Sequence, residues 1–318
     1  MTTNTVFDLA SLTKPIATAT SVMLLVEQGK VKLDEPVATY LPTFIETGDA
    51  EANAAKQKVT VRQLLLHTSG QIADNALRDY LQGVDEANQR LLALKLSKPP
   101  GETFVYSDVN FITLGLQIEK LSGQNVHEFS QAHIFRPLGM DETGFVPGKS
   151  LGYRTAPTEK RDGHWMRGTV HDPRSYALRG IAGHAGLFST AEDLARYASA
   201  MLNRGEYQGV KIMQPETWQL MTTGNVVPGR RNDGEKYEGL RGLGWDMRTG
   251  FSTNGGTARS AAAFGHGGFT GTAIWIDPEQ DWFLIFLSNR VHPDGKGSVN
   301  PLIGEIATLV AAARQAGK

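Results

Sequence analysis

The sequence contains no cysteine. That excludes disulfides, thiol nucleophiles and thiolate metal sites, so any covalent catalysis has to use oxygen or lysine. A charge bias is missing as well: 32 basic residues stand against 33 acidic ones, with no long block of either sign. Nothing in that balance favours nucleic acid or an anionic membrane surface, and the expected partner is a small molecule. No apolar run reaches the roughly 20 residues needed to cross a bilayer. Met1 to Thr5 carry neither the basic nor the apolar region of a signal peptide, which leaves the compartment open. Internal repeats and low-complexity tracts are also absent.

What is present is enough apolar material for a large core. Hydrophobic residues make up 40% of 318 positions, which suits a single unit spanning residues 1–318. Thr13 to Glu27, with Ile16, Ala17 and the Val22-Met23-Leu24-Leu25 run before Gly29, reads as a buried helix stopped by glycine. Further helical patterns lie at Val61 to Leu66, Asp85 to Leu94, Asn110 to Leu121, Val126 to Phe135 and Ala191 to Leu202. Residues from about 15 to 205 are thus mostly helical. From about 240 to 318 the pattern turns to strands, with Thr272 to Ile276 and Trp282 to Leu287 flanking a turn at Asp277-Pro278-Glu279-Gln280. A final helix, Pro301 to Arg314, presents Leu302, Ile303, Ile306, Leu309 and Val310 to a sheet face. The polar stretch between Asn225 and Arg241, rich in turn formers, reads as a surface loop. The fold class is α+β: an antiparallel sheet flanked by helices, plus a mostly helical region.

In Ser11-Leu12-Thr13-Lys14 the spacing i, i+3 puts a hydroxyl and an amine on one helical face. A serine needs such a partner, because a protonated hydroxyl is a poor nucleophile. The helix start adds the Ser11 N–H as a donor for a developing oxyanion. Two other segments carry chemistry: Tyr106-Ser107-Asp108, just before a helix, and His266-Gly267-Gly268-Phe269, where glycines open a strand edge to substrate. A G-x-S-x-G match at Gly148 to Gly152 lacks the strand before and the helix after that a nucleophile elbow needs. His164, His171, Asp172 and His184 match no metal-ligand spacing, so neither metal nor cofactor is expected.

The order S-x-x-K, then Y-x-[N/D], then [K/H]-x-G resembles the serine β-lactamase and penicillin-binding superfamily, in particular its class C branch with the related esterases and D-amino-acid peptidases. The segments Phe7 to Pro15, Val61 to Gly70 and Ala182 to Thr190 support the resemblance over most of the chain. It implies a serine hydrolase acting on an ester, amide or peptide, in which Ser11 is acylated and Lys14 and Tyr106 share the proton work. By the same resemblance His266 and Gly268 frame the substrate, and the N–H groups of Ser11 and Phe269 form the oxyanion hole. Asp108 takes the place of the motif's asparagine.

Three departures modify that expectation. Asp108 puts an anion near Lys14, favouring the ammonium and shifting proton abstraction to Tyr106, whose pKa Lys14 would lower. His266-Gly267-Gly268 lacks the hydroxyl that helps relatives hold a carboxylate, which favours ester chemistry over β-lactamase or D-alanine carboxypeptidase activity. Only ten residues precede Ser11, where relatives place a helix and two strands of the sheet. Missing N-terminal strands would expose an apolar edge at Trp282 to Leu287, covered in a possible homo-oligomer by another copy. The reading from another functional class is a non-catalytic binding module on the same fold.

Overall fold

In the computed structural model, which describes residues 1–230 and 234–316, one stretch of chain builds the main sheet. Strands β1 (Asn225–Arg230), β2 (Lys236–Arg241), β3 (Asp246–Arg248), β4 (Phe264–Gly268), β5 (Thr272–Asp277) and β6 (Trp282–Phe286) form an antiparallel meander, in the spatial order β6-β5-β4-β3-β2-β1. The β5–β6 hairpin runs in the register Ala273↔Phe286 to Asp277↔Trp282. Its turn is set by Asp277, whose Oδ1 accepts the N–H groups of Glu279 (3.2 Å) and Gln280 (3.0 Å).

Alternation along β5 sorts its side chains. Ile274 and Ile276 join the main core, while Trp275 packs with Trp282 and Ala311 on the opposite face. Four helices frame this sheet and the site: α1 (Thr20–Glu27), α2 (Asp108–Ser122), α3 (Ala191–Leu202) and α4 (Asn300–Ala316). Helix α2 starts where Ser107 Oγ accepts the Asn110 N–H and stops at Gly123, whose φ of +73° suits glycine. A smaller sheet places Leu187–Ser189 between Phe7–Asp8 and Gly144–Phe145.

Three expectations require correction. The stretch from Asn225 to Arg241 is a paired hairpin in register from Asn225↔Arg241 to Arg230↔Lys236, although Arg231, Asn232 and Asp233 lie outside the described residues. Pro228 is tolerated because β1 is an edge strand, where no further ladder needs its missing N–H. The helix expected over Thr13 to Glu27 opens as a π-helix, Lys14–Ala19, in which the Thr20 N–H reaches the Pro15 carbonyl. Finally, α4 buries Ile303, Gly304, Ala307 and Ala311, leaving Leu302 and Leu309 exposed. The small residues Gly304, Ala307 and Ala311, at i, i+3, i+7, let the helix approach closely; a Cβ on Gly304 would lie 2.7 Å from the Thr253 carbonyl oxygen.

Among the described residues, buried Lys56 has no carboxylate partner. Lys56 Nζ donates to the Leu92 and Leu94 carbonyls and lies 4.1 Å from the Phe44 ring centroid. Burial pushes its pKa down to about 8 from 10.5. The native chain then binds fewer protons than the unfolded one across that window, so stability rises with pH there. Lys56→Met is expected to abolish this rise, about 3 kcal/mol in full, in denaturant titrations compared at pH 7 and pH 10.

Candidate active site

Ser11 sits in a 3-10 turn, Ala10–Leu12, between the strand Phe7–Asp8 and the π-helix. The preceding Ala10 has a φ of +46°, a left-handed conformation that costs a residue with a Cβ about 1–2 kcal/mol. Its surroundings hold it there. Asp8 Oδ1 accepts the Ala10 N–H (2.9 Å), and Thr13 Oγ1 donates to the Ala10 carbonyl (2.7 Å). Thr270 and Thr272 hydroxyls donate to the carbonyls of Asp8 (2.7 Å) and Leu9 (3.1 Å), tying the turn to the sheet. Gly268 permits that approach: a Cβ there would lie 2.4 Å from the Leu9 carbonyl oxygen.

The first turn of the π-helix brings fully buried Lys14 beneath Ser11. Its Nζ donates to Ser11 Oγ (2.9 Å) and to the His184 carbonyl (3.1 Å), and pairs with Asp108 Oδ1 at 2.6 Å. Three acceptors thus match the three N–H bonds of an ammonium. Burial opposes the charge, yet the Asp108 carboxylate and Tyr106 outweigh it and hold the Lys14 pKa above its usual value. Asp108 occupies the first turn of α2 and lies outside the set of residues lining the pocket above Ser11.

Tyr106 stands beside this pair, with Lys14 Nζ 4.9 Å from its ring centroid. Its buried hydroxyl interacts with the side chains of Lys14 and Ser11. Burial raises the phenol pKa and Lys14 pulls it down, as its charge implied, but the net direction is upward, so the resting group is a phenol. His67 supports the ring from behind at 4.6 Å between centroids, its Nδ1 accepting the Ser107 N–H. Phe251 covers the ring at 4.9 Å.

Ser11, Tyr106, His266, Gly268 and Phe269 line one cavity of about 250 Å³. His266 Nδ1 lies 2.8 Å from the Gly267 carbonyl oxygen, which only accepts, so that nitrogen carries the proton. Burial, followed by the charges of Arg241 and Lys14, pushes the His266 pKa well down. The imidazole is therefore neutral, with an unprotonated Nε2. Phe269 is 62% exposed and Phe251 54%, giving the cavity an aromatic rim.

Sequence reading missed Arg241, Asp246, Phe251, Asn254 and Asn300, which together with Gly267 complete the lining. Arg241 is wholly buried, paired with Asp246 at 3.2 Å, and its Nε and Nη2 have no acceptor. Its partner lies across the β2–β3 turn, and no local pattern marks such a pair.

The candidates set aside in the sequence separate in space. Ser150 is exposed on a short helix, Lys149–Arg154. His171 pairs with Glu159 and stacks on Phe269 at 5.6 Å. Asp172 and His184 meet at 2.9 Å, and with Asp108 they place ligand-type atoms within 4.8 Å of one another. The cation beside this group is Lys14.

The family model described as Beta-lactamase matches residues 1–308. An Escherichia coli (strain K12) protein named "Putative D-alanyl-D-alanine carboxypeptidase" is 33% identical over 97% of this chain and 74% of its own length. An N-acetylmuramyl-L-alanine amidase of Bacillus subtilis (strain 168) is 32% identical over 92% of this chain and 69% of its own. A penicillin-binding protein homologue from Caulobacter crescentus superposes with a TM-score of 0.74 at 23% identity, covering 97% of this chain and 84% of that one. The chain belongs to the beta-lactamase family and is a serine hydrolase of the β-lactamase and penicillin-binding kind.

Proposed function

We propose that the chain hydrolyses esters through an acyl-enzyme on Ser11. The observation that carries this reading is Ser11 Oγ accepting from Lys14 at 2.9 Å on the wall of the cavity it shares with Tyr106 and the β4 edge. Because Lys14 donates to Ser11, the serine's own proton has to leave elsewhere, and Tyr106 is the neighbour able to take it. The Tyr106 phenol receives the Ser11 proton and passes its own to the departing alkoxide as Oγ bonds to the acyl carbon. Lys14 stays charged, and with the N–H groups of Ser11 and Phe269 it stabilises the oxyanion. Water then enters by the reverse relay and releases the acid.

Ester substrates suit the neutral His266 and the aromatic rim of Phe251 and Phe269. A second reading, carboxypeptidase-type chemistry, is favoured by one observation: the unpartnered Nε and Nη2 of buried Arg241 at the cavity wall, donors suited to a substrate carboxylate. The test is a comparison of kcat/KM for short p-nitrophenyl esters, nitrocefin and an acyl-D-Ala-D-Ala peptide. Ester turnover is expected to be highest; preference for the peptide would select the second reading instead.

A further inference from the structure

We propose that Asp172 and His184 are positioning residues for Lys14, the far half of a buried relay that fixes the ammonium beneath Ser11; this rests on Ser11 being the nucleophile. The loop bearing His184 has little freedom. A Cβ on Gly183 would lie 2.0 Å from the Phe111 carbonyl oxygen, so the chain at Gly183 is pressed against α2. Thr18 Oγ1, on the π-helix, donates to the Gly183 carbonyl at 2.6 Å. The next carbonyl, that of His184, receives the third Lys14 N–H.

The side chain of His184 secures this from the other end. It is fully buried, and its Nε2 lies 2.9 Å from Asp172 Oδ1. The same oxygen accepts the N–H groups of Arg174 (2.9 Å) and Ser175 (2.7 Å), capping the short helix Pro173–Ala177. Asp172 is thereby anchored in the backbone, and His184 is anchored to Asp172. The charged groups facing His184 are Asp172, Asp108 and Lys14, with the Arg174–Asp74 pair at 3.5 Å behind them. Asp108 and Tyr106 hold Lys14 charged against burial, and Asp172, kept ionised against burial by His184 first and then by the Ser175 N–H and Lys14, adds a weaker second anion. In that state Lys14 donates to Ser11 and leaves the serine proton to Tyr106.

Asp172→Asn retains the helix cap and an oxygen for His184 while removing the charge. The expected result is a folded protein in which kcat/KM for ester hydrolysis falls about tenfold. The basic limb of its pH profile should move about one unit lower, because Lys14 loses an anion that favours its protonated form. His184→Asn, which shortens the anchor, should lower kcat with KM little changed and melt near the parent temperature. Parental rates and pH profiles in both variants would overturn the proposal. So would losses that merely track the folded fraction by near-ultraviolet circular dichroism, without a pH shift; either variant alone permits that decision. Mapping a fluorophosphonate adduct on the parent tests the nucleophile separately: an adduct away from Ser11 defeats the underlying reading, whatever the variants do.

Discussion

Ser11→Ala is expected to lower kcat for ester hydrolysis by about 10⁴-fold or more, the scale seen when an acylated serine is removed from its assembly. The Ser11 hydroxyl accepts from the buried Lys14 ammonium at the cavity wall, and its loss removes the oxygen on which the acyl group is proposed to form. Folding should survive, because Lys14 keeps Asp108 at 2.6 Å and the His184 carbonyl at 3.1 Å as partners. The turn is held by Asp8, Thr270 and Thr272 rather than by the Ser11 side chain. Intact mass after fluorophosphonate treatment provides the decisive readout. A stoichiometric adduct on the alanine variant would remove Ser11 from the mechanism.

Tyr106→Phe should separate activity from stability. Without the phenol the serine proton has no acceptor, since Lys14 already donates to Ser11 Oγ, and acylation is expected to fall about 10³-fold, within the range for a lost proton-transfer group. The melting temperature should change little. Packing against His67 and Phe251 uses the ring, which phenylalanine keeps. Single-turnover acylation beside a thermal melt tests both halves; an intact acylation rate would return the base role to Lys14.

Local patterns carried much of this architecture. Ile274, Trp275 and Ile276 alternate faces as their sequence indicates, and the Asp277 turn falls between the two strands it was expected to join. The spacing of Ser11 and Lys14 foreshadowed their contact, and Asp108 lies against Lys14 as its charge suggested. Features fixed by tertiary partners were not legible. Pro228 and Gly229 look like breakers until the position of β1 at the sheet edge is known. Leu302 and Leu309 look like core until Ala307 and Ala311 prove to be the packed face. Arg241 gave no signal, because its role depends on Asp246 and on a cavity assembled from distant segments.

The threonine clasp on the nucleophile turn also bears on how the molecule acquires activity. Thr272 and Leu9 are separated by 263 positions in the chain, whereas the strands that present Thr272 are neighbours in sequence and close only short loops. Contacts of such long separation form at the greatest entropic cost and make folding slow. The meander can therefore assemble before Ser11 is presented, and catalytic competence should trail the gain of β structure during refolding. A time course of ester hydrolysis set against far-ultraviolet circular dichroism would show that lag.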